Sequence, residues 1–180
     1  MKRITQSVLT LLAILTIIAA QPAHAQQPQI PTLQVCNVPS VVTGAGAVTI
    51  TSRGSFKIEI KVECDPVTGY PVLGILNVSV GMNDSTLGVF SATTVDQITV
   101  TGKISPTAYL SGRCTVPNGN ITGCRYWLML ADNGTNNNPT IPPGTADVVG
   151  FLVFDKSGTR IAYGTGPLVL GDISVSPSPF

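Results

Sequence analysis

The 180-residue chain is 43% apolar and sparsely charged, with ten Lys/Arg, nine Asp/Glu and one His for a formal net charge of +1. So near-neutral a chain lacks the electrostatic footprint of a nucleic-acid binder and the basic patch of an anionic-membrane binder. Its length suits one domain with a substantial core.

In chain order, Lys2 and Arg3 precede an apolar run from Val8 to Ala20, and Ala23-His24-Ala25 has the small-x-small form of a cleavage site. This pattern predicts a secretory signal peptide over 1–25, too short and wrongly flanked for a spanning helix, with export to the periplasm or outside the cell. Cleavage would remove His24, the only histidine, and leave 155 of the 180 residues. Without Lys2 and Arg3, eight basic side chains would face nine acidic ones, a formal charge of −1. No later run is long enough to span a bilayer. Residues 26–46, beginning "QQPQIPTLQV", read as an N-terminal arm and first short strand, 47–176 as the folded domain and 177–180 as a tail.

The clearest strand is "SFKIEIKVEC" (55–64). Phe56, Ile58, Ile60, Val62 and Cys64 share one face, and Lys57, Glu59, Lys61 and Glu63 share the other. Shorter candidates are "AVTITS" (47–52), "GILNVSVGM" (74–82), "DQITVTGKIS" (96–105), "TAYLSGRC" (107–114), "CRYWLMLAD" (124–132), "DVVGFLVFD" (147–155), "TRIAYG" (159–164) and "PLVLGDISV" (167–175). Asp65-Pro66 with Gly69, Asn83-Asp84, Pro117-Asn118-Gly119, the "NGTNNNP" run and Lys156-Ser157-Gly158 punctuate them, the last as a tight hairpin; "GTGPLVLG" (164–171) reads as a turn between strands. The expected fold is all-β: a two-sheet antiparallel β-sandwich, immunoglobulin-like or similar, stapled by two disulfides. The terminal Phe180 fits an outer-membrane barrel, but Pro177 and Pro179 fall where a last membrane strand needs ladder donors, so that barrel is rejected.

Two strands are apolar on both faces. Tyr126, Leu128 and Leu130 oppose Trp127 and Met129; Val149, Phe151 and Val153 oppose Val148, Leu152 and Phe154. A sandwich strand buries one face, so the second is either covered by a loop or terminal segment, or is a surface for a protein or glycan ligand around Tyr126, Trp127, Met129, Phe151 and Phe154.

Cys36, Cys64, Cys114 and Cys124 survive the expected cleavage, an even number in an exported chain, which favours disulfides. Gly119 is the midpoint between Cys114 and Cys124 and lies in a turn, so folding there sets the two opposite each other; Cys36–Cys64 follows by elimination. Zinc would want two close pairs or histidines, and redox chemistry a Cys-x-x-Cys pair. Without histidine no Ser-His-Asp or Cys-His arrangement forms, and neither a nucleophile elbow nor a phosphate-binding loop is present, so the expectation is a non-catalytic chain. The remaining catalytic alternative is a hydrolase using Asp132, Asp147 or Asp155 at strand ends. For a cofactor the candidate is calcium, held by Asp132, Asn133, Asn136 and Asn138 of "ADNGTNNN", although the loop lacks the EF-hand spacing and its distal Glu.

The segments "ITVTGKISPTAYLSG", "YWLMLADNG" and "ADVVGFLVFDKSGTRIAYGTGPLVLGDISV" resemble the post-COAP-type modules of secreted bacterial proteins over about residues 55–175. The cysteine pair and the Asn-rich insertion depart from that pattern. The resemblance implies a secreted β-sandwich and carries neither activity nor site residues. The leading expectation is an exported binding or structural module; the alternative is a self-assembling, fimbria-like surface subunit, a homo-oligomer whose arm at 26–35 completes a neighbour's sheet.

Overall fold

A computed structural model describes residues 36, 38–65, 67–102, 105–117, 121–134 and 144–176. The signal peptide, the 26–35 arm, the 177–180 tail and the centre of the Asn-rich loop, with Asn136 and Asn138, lie outside these residues.

Alternation builds the strands. In β2 (Gly54–Cys64) the even-numbered residues from Phe56 to Cys64 are all buried, while Lys57, Glu59 and Lys61 are exposed. The same period of two organises β1 (Val41–Ile50), β3 (Pro71–Met82), β6 (Thr107–Val116), β7 (Ile121–Ala131) and β8 (Val148–Phe154). Three elements differ from the sequence reading, the first being β1, which begins six residues before the expected 47–52. A short strand, β4 (Gly88–Ala92), lies where none was expected, because only Phe90 among its residues is large and buried. The segments 159–164 and 167–175 are one strand, β9 (Arg160–Ser176), which runs straight through the glycines read as a turn.

The expected sandwich is not the fold. Each strand pairs antiparallel with the next from β1 to β4, and from β6 to β9, and β9 returns to β1. Closure comes at β4, which leaves β3 to pair with β6 at Ser91↔Thr115 and Ala92↔Cys114. β5 (Gln97–Thr101) then continues along β6, so β4 and β5 are two halves of one bent strand. At the bend the Thr93 N–H donates to the Arg113 carbonyl (2.8 Å) and the Asp96 N–H to the Ser111 carbonyl (2.7 Å). The result is an eight-stranded antiparallel β-barrel with β5 as the additional strand. Short alternating strands with Gly/Asn/Pro turns suit barrels and sandwiches alike; stagger and closure separate them, and those depend on pairings between distant segments.

The buried faces meet along the barrel axis. Phe56 of β2 packs edge-on to Phe151 of β8 at 4.8 Å, and Phe90 of β4 joins Phe151 at 5.9 Å and Tyr126 of β7 at 6.1 Å. An interior filled by large apolar side chains from opposite walls is a packed core rather than a channel. Outside, Lys57, Glu59, Lys61 and Glu63 remain together on β2, with a Lys61–Glu63 ion pair of 3.3 Å. Among the described residues no helix is long and apolar enough to cross a membrane.

Both expected disulfides are present, Cys36–Cys64 and Cys114–Cys124. Cys114 and Cys124 face each other across β6 and β7 and are fully buried. Cys36 pairs in parallel with Ile98 of β5 and ties that point to the end of β2. The Lys156-Ser157-Gly158 hairpin also forms, closed by the Asp155 N–H on the Thr159 carbonyl (2.9 Å).

Candidate functional site

The barrel turns one apolar face of β7 and β8 inward and leaves the other outside. Tyr126 and Phe151, expected at a partner surface, are core residues, 1% and 3% exposed. The Tyr126 hydroxyl donates to the Thr94 carbonyl at 2.9 Å, and burial, then the nearby charge of Asp96, pushes its pKa far up. Trp127 points outward and is 57% exposed, with its ring edge-on to Phe154 at 5.5 Å. The outer apolar face is therefore not covered by any described segment.

Strand register arranges that outer face in rows. Gln97, Ser111, Trp127, Leu152 and Tyr163 form one continuous row across β5–β9. Two residues further along each strand, Thr99, Tyr109, Met129, Gly150 and Thr165 form the next. Together they line an open groove of about 670 Å³. Gly150 makes its floor: a Cβ there would meet Thr165 Oγ1 at 3.1 Å and Met129 Cε at 3.6 Å, so the missing side chain leaves the depth. Aromatic rings stand at Tyr109, Trp127 and Tyr163, and neutral hydrogen-bonding groups at Gln97, Thr99, Ser111 and Thr165. The Tyr163 ring is held by guanidinium groups of Arg53 (4.1 Å) and Arg160 (4.2 Å), and Arg53 is in turn paired with Asp84 at 2.6 Å. Among the described residues no guanidinium clamps Trp127 or Tyr109, which are the available platforms.

The carboxylates proposed for hydrolysis do not converge as a set. Asp147 and Asp155 bracket β8, roughly 25 Å apart along the strand. Asp155 holds the β8–β9 turn, accepting from the Ser157 hydroxyl (2.6 Å) and from the Ser157 and Thr159 amides; those bonds, the Ser157 hydroxyl foremost, keep its pKa low. Asp132 and Asp147 do come together, both buried, beside the second half of β9. There β8 has ended, and the two side chains replace its carbonyls: Asp147 Oδ2 accepts from Ile173 N (2.8 Å) and Asp132 Oδ2 from Val175 N (3.0 Å). Asp147 Oδ1 also accepts from the Asn133 and Gly134 amides, while Asn133 Nδ2 donates to the Ala146 carbonyl. These oxygens brace a strand edge, which explains why two carboxylates are buried here. Among the described residues no group of three or more His, Cys, Asp or Glu is arranged to hold a metal ion.

Asp172 completes this acidic cluster. Partial desolvation of its carboxyl, then the charges of Asp147 and Asp132 and the proximity of the Asp147 carboxylate, raise its pKa. A carboxyl whose pKa is higher folded than unfolded weakens the fold once it ionises; the penalty is absent below the unfolded value near 4 and grows as pH rises through the folded value. Asp172→Asn is expected to raise the melting temperature at about pH 7 and to leave it unchanged at about pH 3, where the wild-type group is protonated in both states. Equal melting temperatures at both pH values would show that the cluster is not strained.

Fold and groove together define a closed eight-stranded antiparallel β-barrel with a packed interior and an aromatic groove on its outer wall. Compared with known protein families, curated proteins and solved structures, the chain matches none of them.

Proposed function

We propose that this chain is an exported, non-catalytic binding module of the periplasm or cell surface that takes a glycan in the outer groove. The observation that carries the reading is Trp127, a large aromatic side chain left mostly in water at the centre of a concave surface. A tryptophan in that position costs apolar exposure that a soluble fold would otherwise bury. Sugar rings present flat C–H faces between equatorial hydroxyls. An aromatic platform covers the first, and the neutral donors and acceptors at Gln97, Thr99, Ser111 and Thr165 bond the second. Two disulfides are compatible with an oxidising, exported location and support the signal-peptide reading of 1–25.

Because Trp127 is the only tryptophan, its fluorescence reports on the groove without labelling. Titration of the purified, oxidised protein with a panel of oligosaccharides is expected to shift the emission. Trp127→Ala is expected to weaken binding, followed by calorimetry, about tenfold or more, with stability changed by less than about 0.5 kcal/mol. No fluorescence change with any glycan, from a folded protein, would overturn the reading.

Self-assembly is favoured by one observation, the parallel pairing of Cys36 with Ile98, which brings the chain to the outer edge of β5 just after the 26–35 arm. An arm that completes a neighbour's sheet at that edge would make large assemblies in light scattering as concentration rises; a constant monomer mass would exclude it.

A further inference from the structure

We infer that the glycan bound in this groove is acidic, and that Arg113, Arg125 and Arg160 bind its anionic groups; the inference rests on the glycan reading above. One register step beyond the Trp127 row, about 7 Å along the strands, lies a third outward row: Arg113↔Arg125↔Phe154↔Arg160 across β6–β9. All three arginines are exposed. With strands about 4.8 Å apart, they spread over roughly 14 Å along one rim of the groove.

This row is badly matched as it stands. Arg113 and Arg125 face each other directly across two strands, where like charges oppose folding. Both backbone polar groups of Arg113 are engaged on the other side, its N–H by Thr94 Oγ1 (3.1 Å) and its carbonyl by the Thr93 amide (2.8 Å). The facing pair is thus of the type without ladder bonds, in which opposed side chains stand closest. Among the described residues no carboxylate comes within 4.0 Å of any of the three guanidinium groups. The carboxylates nearest in sequence to each arginine are turned elsewhere, Asp96 to the Thr94 hydroxyl, Asp132 to the Val175 amide and Asp155 to its own turn. Three guanidinium forks on a polymer-sized rim, beside an aromatic platform, suit a chain with an acid group on successive sugars. The near-zero net charge gives no long-range pull toward nucleic acid or an anionic membrane, so recognition is local to this rim.

Calorimetry of the purified, oxidised protein with three probes tests this: an oligogalacturonate carrying carboxylates, a heparin-derived oligosaccharide carrying sulfates, and a neutral cello-oligosaccharide. At least one acidic probe is expected to bind about tenfold or more tightly than the neutral one, weakening as salt is added, and which acid it carries identifies the anionic group. Arg113→Gln with Arg125→Gln is expected to remove that preference while the unliganded protein melts no lower than wild type, because the facing like charges are gone. Arg113→Glu, which pairs with Arg125 across the strands, is expected to raise the melting temperature and abolish acidic binding. Equal binding of acidic and neutral probes, needing Trp127 but unaffected by the arginine changes, would overturn the inference and leave the glycan groove standing. A markedly lower melting temperature in both arginine variants would make the row structural and overturn it too. A folded protein that binds none of the three would remove the groove and the inference together.

Discussion

Gly171→Ala is expected to destabilise the barrel by about 3 kcal/mol or more, while Gly158→Ala, with a similar backbone angle, costs about 1 kcal/mol. Gly171 has φ +98° and Gly158 φ +85°, so either substitution forces an L-residue into a conformation that favours glycine. They differ in surroundings. Gly158 sits in the β8–β9 turn with nothing within 4 Å of an added Cβ. Gly171 faces Gly46 where β9 pairs with β1, and a Cβ there would stand 2.0 Å from the Ala45 carbonyl oxygen and 2.5 Å from Gly46 Cα. Backbone atoms of a paired strand cannot swing aside as a side chain would, so the clash opens the β1–β9 seam. Urea unfolding of the two variants measures the difference directly. Equal costs would mean that β1 and β9 do not approach as closely as barrel closure requires.

Removing the longer-range disulfide is the second large effect. Cys36–Cys64 links residues 28 apart and Cys114–Cys124 residues 10 apart. The unfolded chain loses more freedom when the longer loop is closed, which corresponds to about 3.5 kcal/mol against about 2.7 kcal/mol. Cys36→Ala with Cys64→Ala should therefore cost about 3–4 kcal/mol, a large share of the roughly 5–15 kcal/mol that holds a typical domain folded. A local signature should accompany it. Cys36 is anchored on Ile98, so its release is expected to speed hydrogen exchange in β5 and leave the β6–β7 hairpin protected. Unchanged exchange at β5 would show that Cys36 does not hold that strand.

Much of what shapes the candidate site could be read locally. The alternation of β2 assigns its buried and exposed faces, because successive side chains on a strand point to opposite sides. The Cys114–Cys124 pairing follows from the turn that Pro117-Asn118-Gly119 leads one to expect at its midpoint. A further signal was present and missed: arginine lies just inside the strand from each cysteine, in "GRC" and "GCR". Once Cys114 faces Cys124 in antiparallel register, Arg113 must face Arg125. The double apolar face of β7 and β8 was also legible as a face, with a ligand surface among its readings.

What the sequence by itself determined, then, is most of the strands but neither β4 nor the continuity of β9, together with their alternation, the two covalent pairings and the presence of more apolar surface than one sheet face can bury. Tertiary structure alone decided that Tyr126 and Phe151 turn into the barrel while Trp127 and Phe154 turn out, that Asp132 and Asp147 brace a free stretch of β9, and that Arg160 extends the arginine row. It also decided barrel over sandwich, through the passage of β4 from β3 to β6 and the return of β9 to β1. The physical reason is separation along the chain. Alternation and hairpin register are set by residues within a few positions of each other, whereas closure depends on strands such as β1 and β9, whose partners lie more than a hundred residues apart.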